Sequence, residues 1–346
     1  MRVEGKHRFA TKYFIFIWEP ILNVWAVIKI AFIKNFISHR ATRDDVAPQS
    51  SILNPRSFSD VFANKNPSNS CIQDFLNAAV FLLPDSDTAR LDVEIALKIA
   101  LNVDQGYLYA HPEQMLLSDE KNNLIELLGQ RKAGKPMAYL IGYQEFWSLD
   151  FKVNEAVLIP RQETELLVEL ALKLFPQHDL LKVADLGTGS GAIALSLATE
   201  RSAWQITATD ISENALTIAR LNAEQLGVSS VRFLRSNWCD QLVDGPYDLV
   251  ISNPPYIAQN DTHLQMPSMR YEPRKALIAE QDGLADLAII IQQAKGLLNS
   301  GGYLLLEHGY NQGQSVRELF VQHRYQMIET RQDLSSKDRV TFARKK

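Results

Sequence analysis

Cysteine is nearly missing from this chain: Cys71 and Cys239 are the only two among 346 residues. Two thiols so far apart build neither a disulfide framework nor a zinc cluster, and they fit a reducing compartment. Net charge is small as well, −4 with an isoelectric point near 6.0, so no global basic field calls for nucleic acid. A clean apolar span is also lacking. The nearest approach is residues 13–37, broken by Glu19, Pro20, Asn23, Lys29, Lys34 and Asn35. A spanning helix wants about 20 mostly apolar residues, and a central lysine is expensive in a bilayer. No small-residue cleavage site follows, which argues against a secretory signal. What remains is ordinary, with 46% hydrophobic and 22% charged residues. That balance excludes a mostly disordered or fibrous chain. The length suffices for sizeable cores in two or three domains.

The charge is unevenly spread. Residues 1–70 hold ten Lys/Arg against five Asp/Glu, whereas the rest holds 26 against 35. The first segment is therefore a basic, apolar extension, and 44–70, rich in Ser, Asn, Pro and Asp, reads as a linker. A surface-lying helix at 13–37 and an organelle transit peptide are two readings of it. The reading adopted is a segment with no part in the main activity; membrane contact through 13–37 is not favoured.

Residues 71–135 read as a helical domain. Ile72, Phe75, Leu76, Ala79, Val80 and Leu83 fall on one helical face, stopped by Pro84. Further helices fit 87–101 and 119–132, the latter with Ser118 as N-cap and Gly134 beyond its end. Amphipathic helices with short loops pack as a bundle. Nothing in this stretch has catalytic chemistry, and His111 beside Pro112 reads as a loop residue. Residues 136–160 alternate as a short hairpin and serve as the linker. A helix over 161–175 follows Pro160.

From 161 to 346 strands and helices alternate. Strands fit 180–187, 204–210, 231–237, 247–253, 301–309, 325–330 and 339–345, with helices between them. This order predicts an α/β fold: a doubly wound parallel sheet with helices on both faces, its last two strands forming an antiparallel edge. Ligands of such sheets bind beyond the carboxyl ends of the strands.

Two motifs fall at those ends. The first strand runs into Asp185-Leu186-Gly187-Thr188-Gly189-Ser190-Gly191. A glycine-rich turn lets a ligand approach the backbone, and the following helix N-terminus favours an anionic group. The dinucleotide fingerprint G-x-G-x-x-G is one residue longer. Asp210 ends the second strand, where an acid can hydrogen-bond ribose hydroxyls; ribose is common to both cofactor classes. The fourth strand ends in Asn253-Pro254-Pro255-Tyr256. Two prolines stiffen the exit. An Asn oxygen and a nearby carbonyl can hold a planar NH2 by its two hydrogens, with a Tyr ring packed on it.

These motifs resemble the class I (Rossmann-like) S-adenosylmethionine methyltransferases that modify planar amino groups. Ile159-Pro160-Arg161-Gln162-Glu163-Thr164-Glu165, Glu145-Phe146-Trp147-Ser148-Leu149, Tyr271-Glu272-Pro273 and Leu305-Leu306-Glu307-His308-Gly309 sharpen the resemblance. They are similar to the PrmC (HemK) family, the peptide chain release factor glutamine N5-methyltransferases, over about 72–346. Gln162 departs from a proline common in that family. The resemblance implies that Gly187, Thr188, Gly189, Ser190 and Gly191 cradle the methionine part of S-adenosyl-L-methionine, Asp210 its ribose and Trp238 its adenine. It places Asn253, Pro254, Pro255 and Tyr256 on the target glutamine. It gives Glu163 and Glu307 either supporting or capping roles, and His308 a structural one. It implies class I release factors as partners, a cytoplasmic location, and neither a metal nor direct nucleic-acid binding. The rivals are a glutamine methyltransferase of a ribosomal large-subunit protein, an adenine-N6 DNA methyltransferase, against which the acidic balance of 71–346 weighs, and a non-catalytic adaptor.

Overall fold

The computed structural model describes residues 70–176 and 180–346. The readings of 13–37 and 44–69 lie outside the described residues. Helices α1 (Ile72–Val80), α2 (Ala89–Leu101), α3 (Gln105–Ala110) and α4 (Ser118–Lys132) form the helical domain, followed by the short α5 (Met137–Ile141). Phe75, Val93, Leu97, Leu124 and Leu128 interlock in its core, all fully buried. The first helix ends at Val80, short of Pro84, yet Leu83 stays buried in the following turns. The third foreseen helix begins at Ser118 rather than after it. Its free end is met by the Glu120 carboxylate, which accepts from Leu117 N–H at 2.8 Å. Acids in its first turn and Arg131 and Lys132 in its last suit the helix dipole. The unforeseen α3 is capped by Asp104, which accepts from Tyr107 N–H at 2.7 Å. His111 follows it, its ring stacked on Tyr107 at 4.1 Å.

Strands β1 (Tyr143–Phe146) and β2 (Leu149–Lys152) pair antiparallel as the foreseen hairpin. The hairpin is more than a linker. Phe146 and Phe151 are buried in the α/β core, and Asn222 clasps Lys152 through both N–H and C=O. The chain passes between the two parts earlier, at α5, where Met137 joins the helical core and Ala138 and Tyr139 join the other.

The α/β part follows with α6 (Glu165–Leu174), β3 (Lys182–Leu186), α7 (Ala192–Glu200), β4 (Gln205–Asp210), α8 (Glu213–Gln225), β5 (Val231–Arg235) and β6 (Tyr247–Ser252). A two-residue parallel pair, β7 (Ile257–Ala258) and β8 (Ile278–Ala279), precedes α9 (Ala285–Leu297), β9 (Leu298–Glu307), α10 (Gly313–Gln322), β10 (Gln326–Gln332) and β11 (Asp338–Arg344). The main sheet has the order β10-β11-β9-β6-β3-β4-β5. Six of the seven strands point the same way, and β11 runs against them, pairing antiparallel with both β9 and β10. The central strands are nearly all apolar because both faces are covered. Alternation still sorts them: Val183, Leu249 and Leu305 face one core, Ala184, Val250 and Leu304 the other. Helix α7 is buried over all of Ala192–Ala198, which matches its lack of a polar face. The chain leaves β3 to one side through β4 and β5, then returns to the other side at β6. The reversal opens a crevice beyond the carboxyl ends of β3 and β6.

Candidate active site

The crevice holds a cavity of about 530 Å³. It is lined by Gly187 and Gly189 after β3, Asp210 and Ile211 after β4, Asn237 and Trp238 after β5, and Asn253 and Pro255 after β6. Four strand ends thus converge on one space. The glycine loop bends through left-handed backbone at Gly187 and Gly189, with φ of 69° and 56°, which side chains rarely adopt. A Cβ on Gly187 would lie 3.2 Å from the Trp238 ring, whereas one on Gly189 would meet nothing within 4 Å. The bare backbone at Gly189 therefore leaves space that a ligand can fill.

Thr188, Ser190 and Gly191 do not line this cavity; they shape the loop. Thr188 donates from Oγ1 to Asp185 Oδ2 at 2.6 Å, and the Ser190 carbonyl accepts from Asn222 at 2.8 Å. Gly191 starts α7 against Leu195 and Ala219. Asp185 is wholly buried, and burial pushes its carboxyl up to about 7.

Asp210 closes the loop against the next strand. Its Oδ2 accepts from Gly189 N–H at 2.9 Å and its Oδ1 from Ser212 N–H at 2.8 Å. Each oxygen keeps a further lone pair. Burial raises its pKa, opposed by these backbone bonds. Trp238 sits at φ 46° with its carbonyl held by Ser236 Oγ at 2.9 Å. Its Nε1 donates to Asp286 Oδ1 at 3.2 Å. These residues fit S-adenosylmethionine chemically. Acceptors on Asp210 suit two ribose hydroxyls, Ile211, Ile278 and the Trp238 ring suit a purine, and the open Gly189 backbone suits the amino-acid end.

Asn253 is half-buried at the cavity edge and donates from Nδ2 to Thr164 Oγ1 at 3.0 Å. Its Oδ1 makes no hydrogen bond among the described residues. Thr164 comes from a 3-10 turn, Gln162–Thr164, that replaces the start of the helix foreseen at 161–175. Arg161 before that turn is paired with buried Glu272, whose other oxygen accepts from Ile159 N–H at 3.2 Å. Pro254 and Pro255 are both buried; Pro255 lines the cavity, whereas Pro254 and Tyr256 do not. The Tyr256 hydroxyl donates to Glu307 Oε1 at 3.0 Å. Burial, and then the Glu307 charge, hold that phenol well above its usual range. Burial pushes Glu307 itself up to about 7, against the pull of Thr164, Arg339 and Tyr256. Tyr256 is further placed by Gly283, at φ 85°, where a Cβ would overlap the Tyr256 carbonyl oxygen. His308 is buried, bonded to Gly309 O at 2.9 Å and Thr341 Oγ1 at 2.8 Å, and burial lowers its pKa.

Sequence reasoning passed over Asp286, which lies 48 residues from Trp238 with no motif around it. It also passed over the part of Thr164 within its motif. Among the described residues no three His, Cys, Asp or Glu gather as metal ligands would, and no helix is long and apolar enough to cross a membrane.

Residues 162–271 match the family model of the methyltransferase small domain, and 74–142 that of the PrmC N-terminal domain. The chain is 44% identical over 276 residues to the release factor glutamine methyltransferase of Shewanella oneidensis, covering 80% of this chain and 96% of that protein. It is 45% identical over 260 residues to that of Coxiella burnetii, covering 75% and 93%. With that of Salmonella typhimurium it shares 45% over 272 residues, covering 79% and 98%. Identity of this order over nearly the whole of each relative, on a class I methyltransferase sheet, shows that the chain belongs to the release factor glutamine methyltransferase family and is an S-adenosylmethionine-dependent methyltransferase.

Proposed function

We propose that the chain methylates the side-chain amide N5 of the glutamine in the Gly-Gly-Gln motif of class I peptide chain release factors. The observation that carries this reading is the Asn253 amide at the cavity edge. Its Nδ2 is engaged by Thr164 and its Oδ1 is left free to accept. That arrangement suits a ligand that brings N–H donors, as a glutamine amide does.

When bound, S-adenosylmethionine supplies an electrophilic methyl group on a sulfonium. An amide nitrogen is a poor nucleophile because its lone pair is delocalised. Asn253 Oδ1 and the Pro254 carbonyl would accept from its two N–H groups, push density onto nitrogen and fix its direction. As positive charge builds on that nitrogen, both acceptors bind its N–H groups more tightly, which favours the transition state over the ground state, and the methylated nitrogen then gives up one N–H proton to solvent to leave a neutral N-methyl amide. Pro254 and Pro255 hold the two acceptors in one rigid exit from β6, so little reorganisation is needed. Tyr256, its hydroxyl held on Glu307 and its phenol pKa raised, packs rather than acting as a base. The acidic helical domain would meet the release factor outside the motif. The reaction would take place in the cytoplasm, where release factors work and where the free thiols of Cys71 and Cys239 are at home.

The test is labelled methyl transfer to intact release factor, to a short Gly-Gly-Gln peptide, to ribosomal large-subunit protein and to duplex DNA. Intact factor should be the best acceptor and the peptide much poorer. Asn253→Ala should lower kcat on the order of a hundredfold. Preferred methylation of the ribosomal protein or DNA would overturn the substrate; full activity of Asn253→Ala would overturn the mechanism.

A further inference from the structure

Asn253 and Pro255 line the cavity, so the course of the chain leaving β6 decides how a target amide sits. Yet Pro254 and Pro255 carry no N–H, and hydrogen bonds donated by their own backbone cannot fix them. Their position must come from anchors at the two ends. At the first end, Asn253 is tied to Thr164 at 3.0 Å. At the second, the Tyr256 hydroxyl is tied to Glu307 at 3.0 Å, and Ile257 N–H beyond it donates to Leu277 O at 2.9 Å. The Tyr256 carbonyl has an anchor of its own.

That anchor is Gln312, a buried side chain at the head of α10. Its Nε2 donates to Tyr256 O at 3.0 Å and to Asp282 O at 3.1 Å, and its Oε1 accepts from Gly309 N–H at 2.8 Å. All three partners are backbone groups, whose roles as donor or acceptor are fixed. The amide therefore fits one way only. Turned over, it would set NH2 against an N–H and oxygen against two carbonyls. Space for it is cleared on both sides. A Cβ on Gly283 would lie 2.1 Å from Tyr256 O and 2.7 Å from Gln312 Nε2, and one on Gly309 would lie 3.0 Å from Gln312 Oε1.

We propose that Gln312 is a positioning residue for the methyl transfer: its one amide clamps the end of the Asn-Pro-Pro-Tyr exit to the turn at 281–283 and to the loop after β9. Strands β6 and β9 lie side by side, but their pairing stops at Ser252 and Leu306. Gln312 joins the two chains again beyond the edge of the sheet, through Tyr256 O on one and Gly309 N–H on the other. Without the clamp the exit keeps its chemical groups and loses their aim, and a displacement of about 1 Å at a reacting group costs on the order of a hundredfold in rate. Gln312 does not itself line the cavity, so its effect falls on turnover and not on cofactor binding.

The inference rests on the glutamine reading above, and the experiment keeps the two apart. Gln312→Glu keeps the size and the acceptor for Gly309 N–H but turns an oxygen toward two carbonyls. At alkaline pH it should lower kcat toward intact release factor on the order of a hundredfold, with cofactor Kd within about threefold of wild type. As pH falls the introduced carboxyl takes up a proton, and its O–H can donate to one carbonyl again. The ratio of its kcat to that of wild type should therefore rise. Gln312→Met, similar in length and without a donor, should show the loss at every pH. Thermal melting checks that each variant is folded at the assay temperature; where one is not, Gln312→Asn, whose amide is one methylene short of its partners, takes its place with the same expected loss. A kcat within about threefold of wild type in Gln312→Met, a Gln312→Glu ratio that stays flat with pH, or a loss confined to cofactor Kd would overturn the clamp. If the wild type leaves release factor unmethylated, the substrate reading fails instead, and the same kcat comparison is made on whichever acceptor of the panel above it does methylate. If it methylates none, the clamp is read by hydrogen exchange at Gly309 N–H, which should be on the order of tenfold faster in Gln312→Met; equal exchange would overturn it.

Discussion

Replacing Asp210 by alanine tests whether this acid binds a nucleoside or only shapes the loop. The structure makes it do the second in any case, since its two oxygens accept from Gly189 N–H at 2.9 Å and Ser212 N–H at 2.8 Å. A hydrogen bond to a charged group is worth roughly 1.5–3 kcal/mol. Both donors lie at the cavity mouth or the start of α8, where water can replace the carboxylate, so the folding loss should sit near the low end. The ribose has no such substitute. Two hydroxyls that lose a charged acceptor should cost about 1.5–3 kcal/mol, or roughly a 10- to 150-fold rise in Kd. Asp210→Asn should not rescue this. Its Nδ2 would face Gly189 N–H or Ser212 N–H, donor against donor, and the loop would distort. The assay is calorimetric titration with S-adenosylmethionine and, separately, with S-adenosylhomocysteine, which lacks the methyl and the sulfonium charge. Equal weakening of both is the expected result, because ribose is common to them. Unchanged affinity for both would refute the ribose role. Weakening of the sulfonium form alone would show that Asp210 acts as a distant counter-charge.

Gly283→Ala should destabilise the protein by about 1–3 kcal/mol and lower kcat, because a Cβ there overlaps the Tyr256 carbonyl; a thermal melt and a rate matching wild type would refute the close approach. Asp185, whose carboxyl is pushed up to about 7 by burial, takes up a proton on folding, so its contribution falls as pH rises from its ordinary range near 3.8 through about 7. Asp185→Asn should therefore gain stability relative to wild type as pH is raised across that window in denaturant titrations, and a pH-independent difference would show that Asp185 titrates normally. Residues 71–346 should bind cofactor and methylate without the preceding segment, since the family resemblance begins there; a truncated protein that binds but cannot transfer would assign 1–70 a part in the reaction.

The elements most legible in the sequence are those whose local chemistry and tertiary role agree. Residues 192–200 read as a helix and are one, because Gly191 begins it and every residue to Ala198 is packed. Ser212 reads as an N-cap, and it accepts from Ala215 N–H at 3.2 Å. Turn chemistry shared between neighbouring elements was less legible. The stretch at 161–175 has one continuous helical pattern, yet it opens with a 3-10 turn because Thr164 is drawn inward to Asn253, 89 residues away in the chain. Residues 281–298 read as one long helix, yet Gln281, Asp282 and Gly283 adopt left-handed backbone where the chain crosses the Tyr256 carbonyl. The last helical residues of that stretch give way at Leu298 to a strand drawn out by pairing with β6. The site shows the same division. Residues that must meet a ligand through their own chemistry, Asp210, Asn253 and the open Gly189, stand in compact motifs at strand ends. Residues that act by orienting others, Thr164, Asp286 and Glu307, come from elements far apart in the chain, and a long-range hydrogen bond leaves no periodicity behind. A sequence motif can therefore name the group that touches the substrate, while the fold must supply the reason it points the right way.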